Sequence, residues 1–157
     1  MRALAVIVLV AACGDDGLDP DSCQPDGFSD AVSTLSGEQL GPWERAAHVP
    51  VGTQHALVFD EVAGTCGEVM PTGKRLVILT CDPLEEKNYR LVAERAFRCP
   101  GNEAFAVIER DGAIDVAKSL DGTLRIESAL GCVRGSYTIM MSSLDEIAGT
   151  FDAVVCD

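Results

Sequence analysis

The sequence has few aromatic residues and few positive charges. Aromatic residues make up 5% of the 157 residues, with one tryptophan, so a core has to be built mainly from aliphatic side chains. Twelve lysines and arginines stand against 25 aspartates and glutamates, which gives a formal net charge of -13. Such a surface repels phosphate backbones, and the composition therefore argues against a nucleic acid partner.

The short motifs that accompany catalysis or metal binding are also missing. The sequence has no Gly-x-Ser-x-Gly elbow and no glycine-rich phosphate loop. Adjacent acids occur at Asp60-Glu61, Glu85-Glu86 and Asp145-Glu146, but neighbours in a strand face opposite ways, so these pairs are expected at solvated loops and strand ends. We therefore predict a protein that is not an enzyme.

Histidine is scarce as well, with only His48 and His55 in the chain. Neither has a cysteine or an acidic residue at ligand spacing. Seven residues apart, they are expected on opposite faces of one strand or on separate strands. The sequence therefore predicts no metal site and no other cofactor.

Cysteine, in contrast, is abundant, with seven residues in a short chain. None forms a Cys-x-x-Cys pair, and the intervals between them run 10, 43, 15, 18, 33 and 24 residues. These distances favour disulfides between separate elements in an oxidising compartment over a zinc site. The odd count leaves one cysteine to be explained.

An apolar run at the N-terminus ends at the first of these cysteines. Ala3 to Ala12 are ten consecutive apolar residues after Arg2, half the length that spans a bilayer and typical of a signal peptide. The stretch Val10-Ala11-Ala12-Cys13 resembles the lipobox of bacterial lipoproteins. The resemblance implies cleavage before Cys13 and fatty chains such as palmitate on its sulfur. An ordinary signal peptide, with Cys13 in a disulfide, is the alternative.

The resemblance also implies a location and a partner. The protein would be anchored to a membrane of the bacterial cell envelope through the lipid on Cys13, at the outer membrane or cell surface rather than the inner membrane. Two or more fatty chains anchor a protein stably. The predicted organisation is a signal peptide over 1–12, an acidic tether over 13–27 and one β domain over 28–157.

The chain after Gly27 breaks every eight to twelve residues at Gly, Pro or Asp clusters, with apolar and β-branched runs between them. This pattern predicts an all-β fold stabilised by disulfides, an antiparallel β-sandwich with a β-barrel as the alternative. The predicted strands are Phe28 to Leu35, Arg45 to Val51, His55 to Val62, Lys74 to Cys81, Tyr89 to Arg98, Ala104 to Arg110, Ala113 to Lys118, Thr123 to Ser128, Val133 to Met141 and Ile147 to Val155.

Two segments call for separate interpretation. Residues 83–98 have the capping pattern and apolar spacing of a helix, but they also alternate as a strand, which the regular β pattern around them favours. The triplets Gly122-Thr123-Leu124, Gly135-Ser136-Tyr137 and Gly149-Thr150-Phe151 recur at 13 and 14 residues. Each triplet is expected to start a strand and to turn its large side chain inward.

Six cysteines remain once Cys13 is set aside, and six can pair completely. A hairpin turn at 71–74 would place Cys66 opposite Cys81, and a turn centred on Leu144 would place Cys132 opposite Cys156. Directly opposed residues are close enough for a disulfide. Cys23 would then pair with Cys99.

Three functions follow from these features. The leading one is a lipid-anchored envelope protein whose β domain binds a partner, such as another envelope protein, or has a structural role, without catalysis. The second is a carrier of a small apolar ligand inside a β-barrel. The third is an envelope hydrolase.

Overall fold

The computed structural model describes residues 23, 27–64, 66, 73–99, 101–111 and 113–156. Cys13 and the predicted signal peptide lie outside the described residues. Within these ranges the chain is all-β, as predicted, and residues 83–98 contain no helix. Among the described residues, no helix is long and apolar enough to cross a bilayer.

Eleven strands are formed by the described residues. They are β1 (Phe28–Ser29), β2 (Ser33–Leu35), β3 (Glu38–Leu40), β4 (Arg45–Val51), β5 (Gln54–Asp60), β6 (Lys74–Thr80), β7 (Asn88–Val92), β8 (Glu103–Arg110), β9 (Ala113–Ser128), β10 (Cys132–Met141) and β11 (Glu146–Val155). The runs predicted at 113–118 and 123–128 are one continuous strand. The predicted strand 28–35 is two short strands, and β3 was not predicted.

The main sheet closes into an eight-stranded barrel in the order β4, β5, β6, β8, β7, β9, β10, β11. Closure comes from a parallel pairing of β11 with β4, in which Val154 lies opposite Ala47 and Val155 opposite His48. The predicted sandwich is therefore wrong and the barrel alternative is confirmed. A sandwich needs two separate sheets with free edges, whereas here the first and last barrel strands pair with each other.

Glycines in β10 and β11 make room for the largest side chains of the core. Gly135 lies opposite Phe151, and Gly149 lies opposite Tyr137. The aromatic side chains of both pairs are buried in the barrel, so the expectation of inward-turned large residues is confirmed. The glycine triplets lie inside β9, β10 and β11 rather than at their starts. Small and large residues alternate across neighbouring strands of a narrow barrel, and the glycines of β10 and β11 are the small members of this pattern.

The β2–β3 hairpin covers the end of the barrel at which β4 begins, here called the hairpin end. The Ser36 amide donates to Asp145 (2.9 Å), and Lys74 Nζ donates to the Gln39 carbonyl (2.7 Å). Glu38 forms ion pairs with Lys74 and Arg110. These contacts fix the hairpin over the barrel, and Leu35, Leu40 and Trp43 complete the core from this side.

Two disulfides, Cys23–Cys132 and Cys81–Cys99, lie at the opposite end, here called the disulfide end, where β6 and β11 end and β10 begins. The third, Cys66–Cys156, joins the loop after β5 to the residue that follows β11. The six cysteines therefore pair completely, but each predicted pairing is wrong.

The strand registers explain the wrong pairings. Thr80 lies opposite His55, which places Cys81 beside the start of β5, whereas Cys66 lies in the loop after β5. Cys132 lies opposite Val154, two residues short of Cys156. When the register of two strands shifts by two residues, a cysteine stays on the same face of the sheet but lies opposite a different residue of the neighbouring strand.

The segment 88–98 is a strand only as far as Val92. Beyond that residue β8 pairs directly with β9, so the sheet has no place for a longer β7. The chain instead turns at 94–96 and packs Phe97 on Phe105, on the outer face of β8. The Cys81–Cys99 disulfide fastens this loop to the end of β6.

Candidate functional site

Side chains fill the interior of the barrel. The rings of Phe59, Tyr137 and Phe151 contact one another, with centroids 5.3 to 6.1 Å apart. The surrounding aliphatic residues of β5, β6, β8, β9 and β10 belong to the same buried cluster. Within the described part of the chain, a ligand is therefore accommodated more easily on the outside of the barrel or near its ends than in its interior.

An apolar groove of about 350 Å³ lies on the outer face of β5, β6 and β8. These strands are apolar on both faces: Leu57 and Phe59 point into the barrel, while Ala56 and Val58 point outward. Outward-facing apolar residues form its floor: Val51, Ala56, Val58, Val77, Leu79, Phe105 and Val107. We call this site the outer groove.

The loop after β7 forms one wall of the outer groove. Phe97 packs over Phe105 with ring centroids 6.2 Å apart, and the disulfide after residue 98 holds the loop in place. At the rim, Lys118 Nζ lies 2.7 Å from Glu94 Oε2 and ties the loop to β9. The wall is therefore fixed at both ends.

The backbone beneath the outer groove has no free hydrogen-bonding edge. β5 pairs with β4 and β6, and β6 pairs with β5 and β8. An extended peptide bound there would leave its own amides without partners on the groove floor, which costs free energy. The groove therefore suits an aliphatic chain better than a peptide.

The second candidate site is a pair of histidines on β4 and β5. Nε2 of His48 lies 3.1 Å from Nδ1 of His55, and the rings stack with centroids 5.3 Å apart. Both side chains are partly exposed. Burial and the neighbouring His55 both lower the pKa of His48, which favours its neutral form.

A tight hairpin brings these histidines together. Val51 pairs with Gln54 across a two-residue turn, in which Gly52 has a positive φ of 63°. His48 is opposite Leu57 and His55 is opposite Pro50, so the two imidazoles are diagonal neighbours on one face. The expectation of separate strands is correct, but the contact between the histidines was missed. A Gly-Thr turn centred between them is the signal that could have revealed it.

The acids expected at solvated positions include one buried carboxylate. Asp60 accepts hydrogen bonds from Arg45 Nη1 (3.1 Å) and Arg75 Nε (2.5 Å) and is only 3% exposed. Its neighbour Glu61 pairs with Lys74 (3.7 Å). Asp60 lies at the end of β5, as expected for a strand end, but it is not solvated. The arginines on both adjacent strands compensate its charge and allow its burial.

One cluster has the residue types of a metal site but lacks free thiolates to ligate a metal. Cys23, Cys132 and Asp152 lie together at the disulfide end. The two sulfurs are bonded to each other, however, so neither is a thiolate that would ligate a metal.

Comparisons of the chain with protein families, with curated proteins and with solved structures found no match.

Proposed function

We propose that this chain is a lipid-anchored protein of the bacterial cell envelope, and that its disulfide-stabilised barrel acts by binding rather than by catalysis. One observation carries the proposal. The six cysteines after the lipobox-like stretch pair with one another, so Cys13 has no cysteine left to pair with in the same chain. A cysteine that follows Val10-Ala11-Ala12 and is left over from the disulfides is the one that lipidation requires.

The position of Cys23 supports a tethered barrel. Its disulfide to Cys132 fixes the chain at the disulfide end, ten residues after Cys13. Ten residues reach at most about 35 Å when fully extended. The intervening residues are acidic and apolar-poor, which favours a solvated tether. The disulfide end would then face the membrane and the hairpin end would point away from it.

The buried polar groups of the barrel support a non-catalytic role. Asp60 is held between two arginines, and the buried Tyr137 hydroxyl lies 3.0 Å from Ser29 Oγ. These polar groups stabilise the fold, and neither set contains a nucleophile next to a free general base.

The test is to express the full chain in a bacterial host and to compare it with the variant Cys13→Ser. Mass spectrometry of the mature N-terminus is expected to find a diacylglyceryl-modified cysteine, and the protein is expected to sediment with membranes. Cys13→Ser should be found in the soluble fraction, while the matched tether variant Ser22→Ala should sediment like the wild type. An unmodified Cys13 at the mature N-terminus, or full sedimentation of Cys13→Ser, would contradict the proposal.

The outer groove favours a second candidate function, the binding of an aliphatic chain. This moves the predicted apolar ligand from the barrel interior, which side chains occupy, to the outside. The groove floor is aliphatic except for Phe105, and the strands below it offer no hydrogen bonds to a polar ligand. A tether of at most about 35 Å also keeps the groove near the acyl chains of a membrane.

Titration with a fluorescent long-chain fatty acid tests this function. Val58→Lys places a charge on the groove floor and is expected to weaken binding by at least about tenfold, because each 1.4 kcal/mol lost is tenfold in affinity. Thr138→Lys adds the same charge at an exposed position of β10 and should leave binding unchanged. Equal binding by both variants would show that the groove is not the binding site.

A further inference from the structure

We infer that His48 and His55 form a binding site for one divalent transition-metal ion, and that copper(II) is its preferred occupant. The inference goes beyond the lipid anchor and does not depend on it. It rests on the juxtaposition of two imidazoles on neighbouring strands at a partly exposed position.

The separation of the two ring nitrogens fits two ligands of a single ion. Metal–imidazole bonds are about 2.0–2.1 Å long, so two nitrogens at adjacent coordination positions lie roughly 2.9–3.4 Å apart. Nε2 of His48 and Nδ1 of His55 are 3.1 Å apart. In the hydrogen bond one ring carries its proton on the nitrogen that faces the other ring. Metal binding would require that ring to change tautomer, so that each neutral ring keeps its proton on the far nitrogen. Both rings would also tilt, so that the two facing lone pairs converge on the ion.

The Nδ1 atom of His48 is not one of the two proposed ligand atoms. It is buried and has no hydrogen-bond partner among the described residues. With a metal on Nε2, the neutral ring would carry its proton on Nδ1. The inference therefore rests on the two facing nitrogens, Nε2 of His48 and Nδ1 of His55.

The surroundings favour a cation and an accessible coordination sphere. The net charge of -13 attracts cations to the protein. Two protein nitrogens with the remaining positions open to water suit copper(II), which binds nitrogen ligands most tightly among the divalent first-row metals.

Protons compete with the metal at this site. Both imidazoles must be neutral to ligate, and an unperturbed histidine has a pKa of about 6.5. Binding is therefore expected to weaken at acidic pH, because protonation of either imidazole removes a ligand.

The experiment is a titration of the full chain with copper(II), followed by calorimetry and by electron paramagnetic resonance. We expect one ion per chain, hyperfine coupling to two imidazole nitrogens, and a higher unfolding temperature with metal, since a ligand of the native state stabilises it. His48→Gln and His55→Gln are each expected to lower the affinity at least about tenfold, because each removes one of only two protein ligands.

A matched control separates this site from the acidic tether. Asp15→Asn/Asp16→Asn removes two carboxylates near the N-terminus and should keep both the affinity and the nitrogen coupling. Wild-type affinity in both histidine variants would overturn the inference. Coupling to fewer than two nitrogens in the wild-type protein would overturn it as well, and this readout needs no variant to fold.

Discussion

Gly149 packs directly against Ala31, so closely that a methyl group at position 149 would lie 2.6 Å from the Cβ atom of Ala31. The contact places the segment after β1 flat against β11. It also involves the backbone of Ala31, with the nearest atoms 2.8 Å from the same point. A side chain at position 149 therefore cannot be accommodated by rotating a flexible neighbour.

The substitution Gly149→Ala is expected to destabilise the barrel by about 1–3 kcal/mol, the usual cost of overpacking. Urea unfolding under non-reducing conditions measures the change. Gly101→Ala is the matched control, because a methyl group there has its nearest neighbour at 3.6 Å, an ordinary contact. Similar midpoints for the two variants would mean that the Ala31 segment moves aside freely.

The carboxylate of Asp60 provides a second prediction. Its replacement by asparagine removes a negative charge that lies 3.1 Å from the Arg45 guanidinium, and both side chains are almost fully buried. Loss of one partner of a buried pair typically costs about 3–5 kcal/mol. We therefore expect Asp60→Asn to lower the free energy of unfolding by an amount in this range, measured by urea denaturation.

The control for this prediction is Asp121→Asn, which removes the exposed partner of Arg90 at 3.8 Å. Exposed pairs contribute about 0–1 kcal/mol, so this variant should stay close to the wild type. If Asp60→Asn were as mild, groups other than Asp60 would have to compensate the charge of the buried arginine.

Most strands were predictable because their signal is local. The alternation of apolar residues gives the bounds of β4 as observed, and β6 and β8 are each predicted within one residue at either end. Gly and Pro clusters mark the turns between them. The single long β9 was divided in two because Gly122 resembles a break, whereas its positive φ is accommodated inside the strand.

The parts that were not predictable depend on contacts between distant residues. Barrel closure rests on the pairing of Val154 with Ala47, which no local pattern indicates. The disulfides depend on strand register, and a shift of two residues changed the partner of Cys132. The contact between His48 and His55 depends on a local hairpin, so the sequence could have indicated it. Placing the two rings diagonally, however, requires the register that the turn sets between β4 and β5.

The three disulfides differ in the length of chain that they close, which provides a third prediction. Cys81–Cys99 spans 18 residues and Cys23–Cys132 spans 109. Removal of a crosslink costs about 3 kcal/mol for a 15-residue loop and about 4.7 kcal/mol for a 100-residue loop, from chain entropy alone. We expect Cys23→Ala/Cys132→Ala to lose more stability than Cys81→Ala/Cys99→Ala in urea.

Non-reducing peptide mapping checks the premise of this prediction. The wild-type protein should yield linked peptides for the three observed pairs. A linked Cys66–Cys81 or Cys132–Cys156 peptide would contradict the strand registers, and the stability comparison would then lose its basis.

The buried phenol of Tyr137 provides the last prediction, which concerns alkaline pH. Burial raises the pKa of Tyr137 well above its ordinary value, because the ionised form would be desolvated among Phe59, Phe151 and the rest of the core. In the unfolded chain the phenol ionises with a pKa of about 10. Above that pH the native state holds a proton that the unfolded state has lost, so stability is intact below pH 10 and falls as the pH rises further.

Each pH unit in that window is expected to remove up to about 1.4 kcal/mol. The substitution Tyr137→Phe abolishes this contribution. Its unfolding free energy should start lower at pH 8, because the hydrogen bond with Ser29 is lost, and then fall less steeply between pH 10 and pH 11.5. Other groups also titrate in this range, so the difference between the wild type and Tyr137→Phe is the quantity to measure, by urea unfolding at each pH. Parallel curves for the two proteins would mean that Tyr137 already ionises in the native state at these pH values, which requires water to reach the interior of the barrel.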